Sequence, residues 1–328
     1  MKKKILVLGA GGFIGHHLVN KLKSQGHFVM GIDLKYPEYA PTKADYFKIG
    51  DLTDPKTLLE IGQLDELYQL AADMGGAGYI FSGENDANVM HNSSLINLNV
   101  VHWASKHKIK KLFYSSSACV YNYINQMNAG DPRCNEDSAY PCMPDSEYGW
   151  EKIFSERLYT AFAKNYNLNI RIARFHNIFG SDGAWNNGRE KSPAAICRKV
   201  AEARDGGTIE IWGDGRQTRS FLNIDECLDG VERLMESGYA MPINIGSAEM
   251  ISINALAEMV IKISGKKLKI KNVESHTLGV RGRNSDNALI KNVLGWAPSH
   301  PLEDGMQKLY WWVDRQVKGE FWDGNVKE

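Results

Sequence analysis

The sequence is poor in cysteine, has no excess of charge of either sign and contains no long apolar run. Its 328 residues include five cysteines, an odd number that is scattered without metal-site or disulfide spacing: Cys119, Cys134, Cys142, Cys197 and Cys227. Thirty-nine basic residues balance 39 acidic ones, which argues against overall attraction to nucleic acid or to an anionic membrane. We therefore expect no metal site, no nucleic-acid partner and a reducing, cytoplasmic location.

The start of the chain superficially resembles a signal peptide. Its apolar run, Ile5 to Leu8, is short, however, and passes into a glycine-rich turn instead of a cleavage site. No other apolar segment approaches the length that spans a bilayer, so no membrane partner is predicted. With 43% hydrophobic and 24% charged residues, the composition is that of an ordinary globular protein of one large domain or two closely joined ones.

Ile5 to Leu8 predicts a first strand, and the glycine-rich turn after it opens an amphipathic helix. The turn is Gly9-Ala-Gly-Gly12-Phe13-Ile14-Gly15. Gly9, Gly12 and Gly15 permit backbone to approach a pyrophosphate at the helix N-terminus. A second strand, Phe28 to Ile32, ends at Asp33, whose carboxylate can bond both ribose hydroxyls and would repel a 2'-phosphate. NAD is therefore favoured over NADP, although Lys35 nearby leaves NADP open.

Two further strand ends carry candidates for cofactor contacts. Tyr46 to Ile49 is followed by Asp51 and Leu52, and Leu67 to Leu70 is followed by Ala71. Small or acidic residues at strand ends are typical of the carboxyl edge that an open α/β sheet presents to a ligand. We expect Leu52, Leu70 and Ala71 to border the cofactor and Asp51 to bind the adenine amino group. A turn or N-cap role for Asp51 suits the sequence equally well.

Strands and helices continue to alternate up to Gly180. Val89 to Lys106 predicts a helix, Leu112 to Tyr114 a strand and Asn169 to Arg174 a sixth strand. The irregular stretch Asn122 to Pro144 is long for a structureless loop, which indicates a lid or a substrate wall. The alternation predicts an α/β fold with a Rossmann-type doubly wound parallel sheet.

Beyond Gly180 the pattern loosens, which predicts a smaller C-terminal substrate-binding lobe. We expect an NAD-binding Rossmann domain at 1–178, to which 217–246 returns, and a nucleotide-sugar-binding lobe at 179–216 and 247–328. The substrate is expected in the cleft between them.

Tyr148 and Lys152 are four residues apart, so they share one face of a predicted helix. A lysine close to a tyrosine favours the phenolate, which makes Tyr148 a candidate base near neutral pH. A tyrosine and lysine at this spacing occur often by chance. The hydroxyl-rich strand end adds weight, because Ser117 can hydrogen-bond the group that Tyr148 deprotonates and the Cys119 thiol follows two residues later.

With this glycine turn, Asp33, Ser117, Tyr148 and Lys152, the chain resembles the extended short-chain dehydrogenase/reductase family, whose members act on nucleotide sugars. Within the family it is most similar to the GDP-mannose 3,5-epimerases. The similarity covers essentially the whole chain through blocks such as Ala72-Asp-Met-Gly-Gly, Ser-Ser-Ala-Cys119, Arg174-Phe-His-Asn-Ile, Gly188-Arg-Glu-Lys191, Gln217-Thr-Arg-Ser-Phe and Gly279-Val-Arg-Gly-Arg-Asn-Ser-Asp.

The resemblance implies a defined reaction. Tyr148, assisted by Ser117 and Lys152, would take the proton of the sugar C4 hydroxyl while hydride passes to NAD. The resulting 4-ketone acidifies the protons at C3 and C5, which Cys119 and Lys191 would exchange as base and acid before C4 is reduced again. A cationic lysine near the thiol favours the thiolate that such a base requires. GDP-L-galactose and GDP-L-gulose are the implied products.

The resemblance also implies the substrate contacts and a homodimer. The implied contacts are Gly75, Ser117, Cys119, Asn177, Glu190, Lys191, Lys199, Gln217, Arg219 and Arg283. Guanidinium groups suit bidentate phosphate contacts, whereas His176 is expected to be structural. Without the resemblance, Cys119 would pass for a small buried residue and Lys191 for a solvated one. The homodimer is expected to form through the helices Val89–Lys106 and Tyr148–Tyr166.

Two segments depart from the epimerase pattern and leave the sugar open. Tyr121-Asn-Tyr-Ile-Asn lacks the expected proline loop, and Phe81 to Asn88 is slightly enlarged. The alternatives are a C4 oxidase, dehydratase or epimerase acting on another GDP-sugar, such as a GDP-heptose. A dehydratase is expected to carry an acidic residue where this chain has Ala118-Cys119. An idle dinucleotide sensor is disfavoured because it would not need Tyr148 as a base.

Overall fold

A computed structural model describes residues 2–107, 109–275 and 279–320. The strands of the described residues are β1 (Lys4–Leu8), β2 (Phe28–Asp33), β3 (Tyr46–Ile49), β4 (Glu66–Gln69), β5 (Lys111–Ser117), β6 (Ile170–Phe175), β7 (Ile178–Phe179), β8 (Thr208–Trp212), β9 (Thr218–Ser220), β10 (Leu222–Asn223), β11 (Ile243–Ile245), β12 (Met250–Ser252), β13 (Lys269–Val273) and β14 (Gly282–Arg283). The helices are α1 (Phe13–Ser24), α2 (Ala77–Ile80), α3 (Asp86–Lys106), α4 (Glu147–Tyr166), α5 (Ser192–Glu202), α6 (Ile224–Glu236), α7 (Ile253–Ser264), α8 (Ala288–Leu294) and α9 (Leu302–Val317).

Seven parallel strands form the central sheet, in the order β11-β6-β5-β4-β1-β2-β3. Leu6 of β1 pairs with Met30 of β2 on one side and with Leu67 of β4 on the other. The chain first adds β2 and β3 on one side of β1 and then adds β4 on the other side. Ligands of such sheets bind beyond the carboxyl ends of the strands, where the strand order reverses. The predicted doubly wound sheet is confirmed.

Helices cover both faces of the sheet. Side chains of successive residues in a strand point to opposite faces, and in β1 Ile5 packs into one buried cluster while Leu6 packs into the other. α1, α6 and α8 cover the first face, and α3 and α4 cover the second. Because strands buried on both faces are continuously apolar, β1 could be recognised in the sequence.

A third buried cluster lies among α5, α7, α9 and β8. The short pair β8 and β13 runs parallel beside it. β13 was not predicted, because its alternating lysines leave most of the strand exposed and its sequence lacks the apolar signal of a buried strand. β9 pairs with β12 and β14, and this places Arg219 and Arg283 opposite each other in adjacent strands.

The irregular segment Asn122 to Pro144 contains two short 3-10 turns, Tyr123–Gln126 and Glu136–Ala139. Gln126 and Ala139 are completely buried, so the segment is a packed wall. Of the predicted C-terminal lobe, residues 276–278 and 321–328 lie outside the described residues. Within the described ranges, no helix is long and apolar enough to cross a membrane, and no group of three or more His, Cys, Asp and Glu side chains could hold a metal ion.

Candidate active site

The glycine turn between β1 and α1 has three glycines that the chain itself requires, Gly9, Gly11 and Gly15, and one that leaves room for a ligand. Gly9 has a φ of 81°, which favours glycine. A Cβ on Gly15 would lie 2.0 Å from the carbonyl oxygen of Gly9, so only glycine packs there. A Cβ on Gly12, the N-cap residue of α1, would meet nothing closer than 3.4 Å. The open side of Gly12 fits a phosphate at the start of α1.

Asp33 lies at the carboxyl end of β2, beside this turn. Its Oδ2 accepts a hydrogen bond from the backbone N–H of Gly11 at 2.9 Å. Asp51 lies after the next strand, and its Oδ1 accepts hydrogen bonds from the backbone N–H and hydroxyl group of Thr53 at 2.9 and 2.8 Å. The turn role of Asp51 that the sequence left open is therefore present. The turn and Asp33 together fit the pyrophosphate and ribose of a dinucleotide.

The other cofactor candidates border the same turn. A Cβ on Gly9 would lie 2.8 Å from the backbone nitrogen of Ala71, and Leu70 donates its backbone N–H to the carbonyl oxygen of Leu8 at 3.0 Å. Leu52 is buried in the apolar cluster beneath. The structure brings these candidates, together with Phe13 and Ile14 at the start of α1, to one edge of the sheet.

β5 extends to Ser117, three residues further than the sequence predicted. Ser117 then caps the single 3-10 turn Ala118–Val120, because its hydroxyl oxygen accepts the backbone N–H of Cys119 at 3.2 Å. The first turn of α4 packs closely here, since a Cβ on Gly149 would lie 2.3 Å from the Cys119 carbonyl oxygen. The structure thus places Cys119, which is half-buried, beside the start of α4.

Tyr148 and Lys152 share the buried face of α4, as predicted. The ammonium nitrogen of Lys152 lies 5.5 Å from the centre of the Tyr148 ring and donates a hydrogen bond to the carbonyl oxygen of Ser115 at 3.2 Å. Burial raises the pKa of Tyr148, with the charges of Cys119 and Glu151 adding to the rise, and a hydrogen bond with Ser117 only partly opposes it. Burial lowers the pKa of Lys152. The protein chain alone therefore does not bring the pKa of Tyr148 near neutrality, because desolvation outweighs the hydrogen bond.

Arg283 contacts the catalytic candidate Cys119 directly. One terminal nitrogen of its guanidinium group lies 3.1 Å from Cys119 Sγ, and the other donates to Asp145 Oδ2 at 3.1 Å. Its Nε donates to Gln126 Oε1 at 2.5 Å. Arg283 was expected among the substrate phosphate contacts. In the structure its three donor nitrogens instead hold a thiol, a carboxylate and an amide of the chain.

Lys191 is the N-cap residue of α5. Burial lowers the pKa of Lys191, and interaction with the charge of Cys119 opposes this. Within the described ranges, its ammonium group has no hydrogen-bond or ion-pair partner. Ser117 hydrogen-bonds the backbone of Cys119 and the side chain of Tyr148, and the charge of Cys119 acts on the pKa of Tyr148, Lys152 and Lys191.

A second group of predicted substrate residues surrounds Trp212, whose indole is about half exposed (49%). Gln217 donates from Nε2 to the Trp212 carbonyl oxygen at 3.3 Å, while its Oε1 is buried without a partner. The ammonium nitrogen of Lys199 lies 5.7 Å from the Trp212 ring centre. Glu190 Oε1 accepts from Arg198 at 3.3 Å, whereas Oε2 is buried without a partner.

The remaining predicted substrate residues lie between these two groups. Arg219 donates to the carbonyl oxygens of Thr218 and Val280, and burial lowers its pKa to about 10. Asn177 has a φ of 44° and donates to the carbonyl oxygen of Ser220 at 2.9 Å. Gly75 lies against the Tyr79 side chain, while its neighbour Gly76 is the glycine that permits close approach: a Cβ there would lie 2.2 Å from the Glu190 carbonyl oxygen.

His176 is completely buried and its Nε2 lies 2.9 Å from Asn244 Oδ1. Burial lowers its pKa to about 3, so it is neutral near pH 7. The same Asn244 oxygen accepts a hydrogen bond from the Tyr121 hydroxyl at 2.6 Å. His176 therefore lies in a buried structural network, the environment of a structural histidine.

Sequence reasoning missed three residues that contact the catalytic candidates: Asp145, Gln126 and Glu151. Asp145 and Gln126 bind Arg283, and nothing in their spacing indicates this, since they lie in an irregular segment. Glu151 directly precedes Lys152, and its Oε2 lies 3.8 Å from the ammonium nitrogen. The buried residues of α4 also include Lys152, Ser155 and Glu156, so no local pattern singled out Glu151.

Comparison with known proteins assigns this site to a family. The sequence profile of the NAD dependent epimerase/dehydratase family matches residues 5–246. The chain belongs to this family. It is 44% identical over 320 residues to GDP-mannose 3,5-epimerase of Arabidopsis thaliana, covering 97% of this chain and 84% of the relative.

Solved structures of this family share the fold. UDP-glucuronic acid 4-epimerase of Bacillus cereus, in complex with UDP-glucuronic acid and NAD, is 26% identical with a TM-score of 0.80, covering 95% of this chain and 99% of that one. UDP-glucose 4-epimerase of Thermotoga maritima, with UDP-glucose, is 22% identical with a TM-score of 0.85, covering 96% and 99%. This second likeness bears on the fold alone.

Family membership confirms several predictions. The chain is a nucleotide-sugar epimerase of the short-chain dehydrogenase/reductase type, and its cofactor is NAD. The open side of Gly12 and the position of Asp33 agree with that cofactor.

Proposed function

We propose that the chain is a GDP-mannose 3,5-epimerase that yields GDP-L-galactose and GDP-L-gulose. The observation that carries the proposal is the position of Cys119, whose thiol contacts Arg283 at 3.1 Å and whose backbone packs against the first turn of α4, where Tyr148 lies; Lys191 is the cation proposed to act with it. A phenol alone suits oxidation of an alcohol, whereas a thiol facing an ammonium group adds the base and acid that inversion at carbon requires. The 44% identical Arabidopsis relative carries this activity in its name.

Each catalytic residue has a proposed task. Tyr148 takes the proton of the C4 hydroxyl and later returns it, while Ser117 hydrogen-bonds the same oxygen and Lys152 supplies positive charge. NAD, held by the glycine turn and Asp33, would supply the hydride acceptor for the oxidation of C4 and the hydride donor for its later reduction. Cys119 and Lys191 then remove and deliver protons at C3 and C5 of the 4-ketone from opposite sides. A lysine whose pKa is lowered by burial, as at Lys191, gives up its proton more readily than a solvated one.

The group around Trp212 supports a guanine nucleotide. The half-exposed indole offers a flat surface for a base to stack on. Gln217 Oε1 beside it, and Glu190 Oε2 just before α5, are buried acceptors without a hydrogen-bond partner among the described residues, and the edge of guanine offers N–H donors. Lys199 and Arg219 lie nearby as positive charges for the diphosphate. Gly75, Asn177 and Arg283 are proposed to border the sugar.

A GDP-heptose is the second candidate substrate. The two segments that depart from the epimerase pattern lie next to contacts of the site: residues 121–125 directly precede Gln126, which holds Arg283, and the Phe81 ring would lie 3.3 Å from a Cβ on Gly279. A difference in the residues next to the sugar suits a sugar with a different number of carbon atoms. A C4 oxidase or a dehydratase is less well supported, because neither reaction needs the thiol and ammonium pair.

We further propose a cytoplasmic homodimer and the predicted division into lobes. α3 and α4 expose large apolar side chains, namely Leu98, Trp150, Phe154 and Tyr166, each at least 40% accessible. Trp150 and Phe154 are four residues apart and share one face of α4, which supports pairing of subunits through these helices. β11 lies next to β6 in the sheet, which supports the return of 217–246 to the 1–178 domain.

Product analysis tests the proposed reaction. The purified, NAD-loaded enzyme is incubated with GDP-mannose, and the sugars released by acid are identified by NMR. Galactose and gulose are expected alongside mannose. Recovery of mannose alone, with a GDP-heptose converted under the same conditions, would transfer the assignment to the second candidate. Conversion of neither would refute epimerisation of both substrates.

A further inference from the structure

Glu151 is completely buried one residue before Lys152, and the proposed reaction gives it no task. Its Oε1 accepts hydrogen bonds from Asn97 Nδ2 at 2.9 Å and from the Ser155 hydroxyl at 2.6 Å. Its Oε2 has no hydrogen-bond partner and lies 3.8 Å from the Lys152 ammonium nitrogen. The two donors therefore fix one oxygen and leave the other facing the lysine.

The donors on Oε1 are themselves held in place. Asn97 Oδ1 accepts hydrogen bonds from Gln69 Nε2 at 3.0 Å and from the Tyr159 hydroxyl at 3.1 Å. These contacts fix the amide so that its nitrogen points to Glu151. Side chains from β4, α3 and α4 thus fix a single carboxylate, and a rigid arrangement of this kind holds a charge at a defined place.

Lys152 meets few other charges. From its own helix it faces Glu151, Glu156 and the Tyr148 ring, from β5 the Tyr114 ring and the Ser115 carbonyl oxygen, and from the turn after β5 the Cys119 thiol. Glu156 is already held by Arg174 at 2.8 Å. Glu151 is therefore the carboxylate that remains to balance the ammonium group, and an ammonium group buried at this depth without a partner is strongly disfavoured.

We propose that Glu151 is the counter-ion of Lys152 and, through it, a positioning residue for Tyr148. The inference rests on the proposed roles of Tyr148 and Lys152. The negative charge favours the protonated form of Lys152 in a site where burial disfavours it. The same charge raises the proton affinity of Tyr148, so the phenol that has taken a proton from the C4 hydroxyl retains it until C4 is reduced.

The direction in which pKa values change when the negative charge of Glu151 is removed can be predicted. Glu151→Gln keeps the volume, and its amide oxygen can still accept from Asn97 and Ser155. Without the carboxylate, the pKa of Lys152 and that of Tyr148 both fall, because Glu151 raises both. Both limbs of the pH profile should therefore move to lower pH, by about one unit or more at this separation. If Glu151 served only to join α3 to α4, replacing it would lower the stability of the protein and leave the pH profile unchanged.

The primary test needs no sugar. Tyrosinate absorbance of the NAD-loaded protein is titrated against pH, and the curve of the matching Tyr148→Phe protein is subtracted to isolate Tyr148. Glu151→Gln should lower the midpoint by about one pH unit or more. Ser155→Ala, which removes one donor to Oε1 and keeps the charge, should leave the midpoint unchanged. An unchanged midpoint in folded Glu151→Gln, or an equal shift in Ser155→Ala, would overturn the proposal.

Turnover of GDP-mannose against pH is the second readout, and both limbs should shift downward in Glu151→Gln. Absence of turnover in the unmodified enzyme would refute the proposed function, while the tyrosinate titration would still test the counter-ion. If Glu151→Gln does not fold, adding Lys152→Gln should restore folding, because the buried charge left unpaired is then removed as well. Failure of the double variant to fold would overturn the pairing.

Discussion

A guanidinium group lies 3.1 Å from the sulfur of Cys119, and a buried carboxylate and amide hold that guanidinium in place. This contact places a positive charge directly beside the thiol. The sequence suggested that Lys191 would provide such a charge. The structure adds Arg283, at direct contact distance. The residue that distinguishes this site from a simple alcohol dehydrogenase is therefore in direct contact with a cation.

Replacing Cys119 by Ala should abolish epimer formation, with a loss of at least about 100-fold, because the base for C3 and C5 is removed. The bound NAD content of the purified protein should be unchanged, since the glycine turn lies elsewhere. Cys142→Ala is the matched control, because Cys142 is also partly buried and has no proposed task; it should retain full activity. Undiminished epimer formation in Cys119→Ala would make this cysteine structural.

The alkaline limb of the pH profile should fall below pH 10.5, the ordinary pKa of lysine. Burial lowers the pKa of both Lys152 and Lys191. Each lysine carries its proton only below its lowered pKa, so activity that needs the protonated form is lost as the pH rises through that value. The measurement is kcat/KM for epimer formation against pH. A profile that stays flat up to pH 10.5 would contradict protonated lysines in the reaction.

At the scale of elements, different glycines of the turn between β1 and α1 serve packing and ligand binding. Gly15→Ala should destabilise the protein, because its Cβ would lie 2.0 Å from the Gly9 carbonyl oxygen. Gly12→Ala should leave the fold intact, since the nearest atom is 3.4 Å away, but should reduce bound NAD by filling the space in front of α1. Thermal unfolding and NAD content measured on both variants check this. Equal NAD content in Gly12→Ala and the parent protein would remove Gly12 from the cofactor site.

The sequence was most informative where one physical rule governs an element. β1, β2 and the turn between β1 and α1 follow from a continuous apolar run and from glycines that open a helix. β13 escaped prediction because it is an exposed strand whose lysines give no apolar signal. The contacts of Arg283 escaped prediction as well. They join residues more than 130 positions apart in sequence, which no local pattern encodes.

The shifts in the pKa values of Tyr148 and Lys152 also could not be predicted from the local sequence. The spacing of Tyr148 and Lys152 placed them correctly on one face of α4. It could not show that burial raises the pKa of the tyrosine and lowers that of the lysine. Desolvation depends on what covers a residue in the folded chain, and here the cover comes from β5, α3 and the turn that contains Cys119.

At the scale of the whole molecule, the exposed apolar face of α4 predicts association. Phe154→Glu should convert the proposed dimer into monomers, because a charge would then be buried in the interface. Leu59→Glu is the matched control, since Leu59 is 72% exposed on a different surface, and it should leave the dimer intact. Sedimentation or light scattering measures the mass. A monomeric parent protein, or a dimeric Phe154→Glu variant, would contradict pairing through this face.

Transient oxidation at C4 with inversion at C3 and C5 is tested most directly by incubating the NAD-loaded enzyme with GDP-mannose in deuterated water. The account predicts deuterium at C3 and C5 of the sugar, none at C4 because the hydride returns from the cofactor, and no net change in NADH absorbance. Deuterium at C4, or at neither C3 nor C5 in an enzyme shown to bind the substrate, would contradict it.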